Sequence, residues 1–126
     1  MVMGGGLGLG GIQTLAYKLI KWKEKINILI FTGRNERLRR NFLKNEVYHH
    51  PNIQIIGFVE HIDKWMEATD ILITKSGGLT CFEALTKGLP LFIYQPIPGH
   101  EESNCDYLVN EGLAIKIDDS TNIDHL

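Results

Sequence analysis

Cysteine is scarce in this chain, which holds only Cys81 and Cys105 and no CxxC pair, so neither a disulfide framework nor a thiolate-built zinc site organises it. Long apolar runs are missing as well. The longest, "INILIF" and "PLFIY", are strand-sized and far below the ~20 residues that cross a bilayer as a helix, so any membrane contact is expected to be peripheral. The opening "MVMGGGLGLGG" has neither the basic nor the apolar region of a secretory signal, and a reducing, cytosolic setting is expected. Nor does one charge dominate: 13 basic against 15 acidic side chains give −2, which removes any chain-wide field that would gather nucleic acid. No His/Cys/Asp set has metal-ligand spacing, and no linker or low-complexity tract interrupts the sequence. The 126 residues, 44% of them hydrophobic, suffice for one core, and a single domain over residues 1–126 is expected.

What the sequence does have is alternation. Short β-rich runs and helical periodicity follow one another along the whole chain, the pattern of a parallel sheet covered by helices. Strands are expected at about Val2–Met3, Ile26–Phe31, Ile53–Gly57, Ile71–Thr74, Leu91–Tyr94 and Ala114–Ile117. Ile12, Leu15, Ala16, Leu19 and Ile20 recur at i, i+3, i+4, i+7 and i+8, which places a helix after the first strand. A second helix is expected over Glu36–Lys44, and "HIDKWMEA" predicts a short third through Ile62, Trp65 and Met66. The helix after Gly78 carries Leu79, Phe82 and Leu85 and should stop at Gly88-Leu89-Pro90. "EESNCDYLVNEG" reads as a last helix closed by Gly112. The sum is an α/β fold, a Rossmann-like doubly wound parallel sheet of about six strands, in which ligands lie at the carboxyl ends of the strands.

Function is therefore sought in the loops that follow strands. After the first strand, Gly6, Gly8 and Gly11 satisfy G-x-G-x-x-G, a turn that either offers backbone amides to a phosphate or simply needs positive φ. In "KSGGLTCFEALTKGLP", Gly77 and Gly78 admit a close ligand, and the amides from Ser76 to Thr80 head a helix. Glu83 follows Thr80 by three residues. The pair can be a capping box with Thr80 as N-cap, or Glu83 can grip a vicinal diol such as ribose from the edge of an apolar helix face. In "YQPIPGHEESN", two prolines and Gly99 fix an irregular path, and His100, Glu101 and Asn104 offer the donors and acceptors that read sugar hydroxyls. "GFV", around Phe58, contributes mainly backbone. Arg37, Arg40 and Lys44 form a basic helix stripe that is either a solvated face or a contact with anionic lipid. His49-His50-Pro51 resembles a turn, and Cys81 is expected in packing.

Residues 57–104, "GFVEHIDKWMEATDILITKSGGLTCFEALTKGLPLFIYQPIPGHEESN", resemble the C-terminal half of the two-domain GT-B glycosyltransferases that include the bacterial peptidoglycan N-acetylglucosaminyltransferase and the diacylglycerol sugar transferases. The likeness extends over nearly the whole chain, and "PGHEESN" is more similar to the diacylglycerol branch. The resemblance implies a fragment of a longer protein, one half of a GT-B fold, that binds a UDP-sugar. The backbone near Phe58 would meet uracil, and Glu83 would hold the ribose. Ser76, Gly77, Gly78 and Thr80 would surround the diphosphate and sugar, helped by Gly6 and Gly8, with Gly99, His100, Glu101 and Asn104 at the sugar. His100 departs from the glutamine common in the diacylglycerol enzymes, so sugar choice hangs on that loop.

The resemblance also implies an inverting transfer without metal or cofactor, the UDP-sugar being substrate. It places the base and the acceptor surface in a missing N-terminal domain, so no catalytic residue is expected in this chain, which alone would not turn over. The acceptor would be diacylglycerol at the inner membrane face, reached by a cytoplasmic enzyme peripheral to that face. Rival readings are the small subunit of a split GlcNAc transferase and a stand-alone nucleotide-binding module. A dinucleotide redox domain comes last, because the second strand ends "FTGRN" without the acidic residue that would hold an adenosine ribose.

Overall fold

A computed structural model describes residues 1–3, 12–74, 78–94 and 106–117. The chain divides into two compact units, one built on Val2–Glu60 and the other on His61–Thr121 together with Met1. The first unit runs β1 (Val2–Met3), α1 (Ile12–Leu19), β2 (Ile28–Gly33), α2 (Glu36–Lys44) and β3 (Ile53–Gly57). β2 pairs in parallel with both neighbours, Ile30 opposite Val2 and Ile28 opposite Ile53. Parallel neighbours cannot be joined by a tight hairpin, so a helix crosses over in each connection.

Four of the five positions expected on the apolar face of α1, Ile12, Leu15, Ala16 and Leu19, are buried. The fifth, Ile20, opens a 3-10 turn, Ile20–Trp22, that tightens the helix end. α2 buries Leu38 and Phe42. Phe42 meets the ring of Tyr48 edge-on at 5.0 Å, Tyr48 lying in a second 3-10 turn, Glu46–Tyr48, that the periodicity did not predict. β2 starts at Ile28 and not at Ile26, because the Lys25 and Ile26 amides both donate to the Trp22 carbonyl and the chain is still turning there. It continues to Gly33 because Thr32, though polar, is buried and donates its hydroxyl to the Ile56 carbonyl at 3.3 Å.

The second unit runs α3 (Ile62–Glu67), β4 (Leu72–Thr74), α4 (Gly78–Thr86), β5 (Leu91–Tyr94), helical backbone over residues 106–110, and β6 (Ile115–Ile117). β5 pairs in parallel with β4 and β6, and Leu72, Ala84 and Ile93 form its fully enclosed centre. β4 begins one residue later than expected. Ile71 stays exposed, its carbonyl accepting from the Met1 amine at 3.1 Å, while Ile73 donates to the Met1 carbonyl.

Both glycine stops act as the sequence predicts. Gly88 at φ +68° and Gly112 at φ +72° take the left-handed conformation. Leu89 donates back to Ala84 and Gly88 to Leu85, and Leu113 to Leu108 and Gly112 to Val109, the paired bonds that close a helix on a left-handed residue. The strands thus run β3-β2-β1 in the first unit and β4-β5-β6 in the second, the parallel strands and flanking helices of a Rossmann-like α/β fold. Among the described residues, no helix is long and apolar enough to cross a membrane.

Candidate functional site

At the carboxyl end of β2, five consecutive residues from Thr32 to Glu36 each have a separate task. Phe31 pairs with Ile56 but Gly33 pairs with Gly57, so Thr32 is an extra residue, a bulge that bends the strand end. Gly33 follows at φ +60°, where a side chain would be strained. The chain thus leaves the sheet with Arg34 lying over Phe58, guanidinium carbon to ring centroid 3.8 Å, in a cation–π stack. Asn35 caps α2, its side-chain oxygen accepting the Leu38 amide at 2.9 Å. Glu36 adds the negative charge that a helix start favours and lies 3.8 Å from Arg39.

Arg39 in turn crosses Gly57, where an added Cβ would stand 3.4 Å from the arginine Cδ. The Arg39 stem thus packs beside the strand end at ordinary van der Waals distance. Phe58 follows, 54% exposed, with one ring face taken by Arg34. An exposed aromatic ring backed by a guanidinium is a surface on which a planar ring can stack.

In the second unit, β4 ends at Thr74 and α4 opens at Gly78. Thr80 therefore lies inside the first turn and Glu83 one turn further on. That placement removes the capping-box alternative, which needs Thr80 ahead of the helix. Glu83 is half-buried between the buried Cys81 and Ala84, and among the described residues its carboxylate has no hydrogen-bond or ion-pair partner. A carboxylate so placed can accept hydrogen bonds from a ligand.

Of the residues expected at the site, Phe58 and Glu83 are described in full, and Gly78 and Thr80 by their helical backbone. Gly6, Gly8, Ser76, Gly77, Gly99, His100, Glu101 and Asn104 lie outside the described residues. The stack of Arg34 on Phe58 is not predicted from the sequence, in which that arginine only argues against an acidic ribose ligand. The signal was present in the two strand ends, "TGR" and "IGF": once Gly33 is set against Gly57, the residue after each is a neighbour of the other.

The glycosyltransferase family 28 C-terminal domain model matches residues 1–126. Named relatives include the processive diacylglycerol beta-glucosyltransferases of Bacillus subtilis (strain 168), 31% identical over 93% of this chain and 31% of the relative, and of Bacillus pumilus (strain SAFR-032), 34% identical over 93% and 30%. The chain thus spans about a third of the length of the relatives it matches. Among solved structures, the glycotransferase of kitacinnamycin superposes with a TM-score of 0.72 at 17% identity, over 98% of this chain and 31% of the other. WaaG, a glycosyltransferase involved in lipopolysaccharide biosynthesis, gives 0.67 at 15%, over 98% and 35%. These two likenesses carry the fold, which is that of a GT-B glycosyltransferase C-terminal domain. The whole-length match carries the kinship: the chain belongs to the glycosyltransferase family 28 C-terminal domain family.

Proposed function

We propose that this chain is the donor-binding domain of an inverting glycosyltransferase that moves a hexose, glucose or galactose, from UDP to diacylglycerol. The observation that carries the reading is the exposed Phe58 ring with Arg34 stacked on it at 3.8 Å, a platform for a planar base at the carboxyl end of two parallel strands, where α/β folds bind nucleotides. Uracil stacks there and is read by the backbone near Phe58. Glu83, half-buried and without a partner among the described residues, accepts the two ribose hydroxyls. The amides at the start of α4, with Gly6 and Gly8 ahead of α1, receive the diphosphate, and His100, Glu101 and Asn104 read the sugar. The names of the relatives favour glucose and a diacylglycerol acceptor.

In the reaction the acceptor hydroxyl attacks the anomeric carbon from the face opposite UDP. The bond to the diphosphate oxygen breaks, its electron pair stays on UDP, and the hydroxyl proton passes to a base. Negative charge grows on the diphosphate, and preorganised helix N-termini stabilise it without reorganising. The base and the acceptor surface belong to the further domain that the longer relatives have room for. The full-length enzyme would work at the inner membrane face as a peripheral protein.

Calorimetric titration with UDP, UDP-glucose, UDP-galactose, UDP-GlcNAc and NAD tests this reading. The UDP series should bind and NAD should not, and Glu83→Ala should weaken UDP by about 1–3 kcal/mol, the value of charge-assisted hydrogen bonds. Binding of NAD in preference to UDP, or a folded Glu83→Ala chain with unchanged affinity, would overturn it.

A further inference from the structure

The donor chemistry makes no use of the outer face of α2. This helix buries Leu38 and Phe42, which turns Arg37, Arg40 and Lys44, at i, i+3 and i+7, to the opposite face. All three are exposed, and among the described residues none has an ion pair. Their neighbours are occupied, Arg39 with Glu36 and Arg34 with Phe58. Residues 34–44 hold five cations against the single anion Glu36, in a chain whose formal charge is −2, so positive charge is gathered here against an acidic remainder.

Like charges one turn apart destabilise a helix, and an anionic counterpart relieves that repulsion. Beside the stripe, Leu43 of α2 is 42% exposed, and Val47, in the turn that follows the helix, is 40% exposed. On the other flank Asn41 and Asn45 join Gln13 and Tyr17 of α1 around an open cleft of about 470 Å³. Cations in a row, apolar side chains at their edge and a polar cleft alongside match a bilayer surface, where phosphates, acyl chains and glycerol oxygens lie at successive depths. Against a nucleic acid strand, Leu43 and Val47 would stay in water and no aromatic ring interleaves the cations to stack on bases.

We propose that this face of α2 docks on an anionic phospholipid bilayer, Arg37, Arg40 and Lys44 meeting headgroup phosphates while Leu43 and Val47 enter the interfacial layer. The proposal rests on the reading of a lipid acceptor and adds to it the surface that faces the lipid.

The test is co-sedimentation of the full chain with large vesicles of phosphatidylglycerol and phosphatidylcholine, beside vesicles of phosphatidylcholine alone. The chain should bind the anionic vesicles and release them as salt rises. The triple variant Arg37→Glu/Arg40→Glu/Lys44→Glu should lose on the order of 100-fold in partitioning, since each basic side chain near an anionic surface contributes roughly fivefold. UDP affinity of that variant should be unchanged, which separates this test from that of the donor site. Lys64→Glu/Lys116→Glu, in the other unit, should weaken vesicle binding less than threefold, on the order expected where only the general field changes. An equal loss in both variants, no vesicle binding by the unmodified chain, or retention of a single-stranded RNA oligomer by α2 in place of vesicles would overturn the proposal.

Discussion

Gly33 and Arg34 divide one task between them: the glycine's φ of +60° turns the chain out of β2, and the arginine uses the new direction to reach the Phe58 ring at 3.8 Å. A guanidinium on one face of an aromatic ring fixes the ring and leaves the other face for a ligand. If that pair supports the base, Arg34→Ala should weaken UDP binding by about twofold to thirtyfold, the value of a cation–π contact as it goes from exposed to desolvated. The melting temperature should scarcely move, because Arg34 is exposed. An unchanged UDP affinity would reduce the stack to a surface contact. Glu83 differs in that its position on α4 was legible from spacing alone, yet its spacing to Thr80 admitted two readings. The start of α4 at Gly78 removes only the cap, because a residue inside the first turn cannot cap it, and the ribose contact stands as the proposal.

Asn35 shows what a single cap contributes to an element. Its side chain satisfies the Leu38 amide at 2.9 Å, one of the donors that a helix start leaves without a partner. Asn35→Ala should lower the unfolding free energy by about 1 kcal/mol and Asn35→Ser should restore most of it, measured by urea denaturation with unchanged slope. Equal loss in both variants would place the effect elsewhere than in the cap. Elements of this kind were legible where a local rule decides. Leu15, Ala16 and Leu19 fall on one face, Gly88 and Gly112 end their helices, and the parallel alternation gives the strands. Boundaries were less legible where a tertiary partner decides. Ile26 reads as strand by composition but is held back by bonds to Trp22, and Thr32 reads as a strand end but is drawn into the sheet by Ile56. The bulge that aims Arg34 has no local signature beyond a glycine, since it exists only in the pairing of two strands.

Among the described residues burial shifts two titratable groups, raising the Tyr48 phenol and lowering the Met1 amine, and the second bears on stability near neutral pH. The Met1 amine is lowered to about 6 by burial, partly offset by the Asp70 carboxylate. The ordinary value of such an amine is 8.0, so as pH falls from 8 toward 6 the unfolded chain takes up the proton first. Stability of the 126-residue chain should therefore decline across that window, and an N-terminally acetylated chain should lack this component; identical pH profiles for the two would contradict it. The central claim, that the chain holds a uridine nucleotide at the carboxyl ends of its strands, is tested most directly by a crystal structure of the complex with UDP. The account predicts the uracil ring against Phe58 and the ribose hydroxyls on the Glu83 carboxylate. A nucleotide bound elsewhere, or one whose ribose does not meet Glu83, would contradict it.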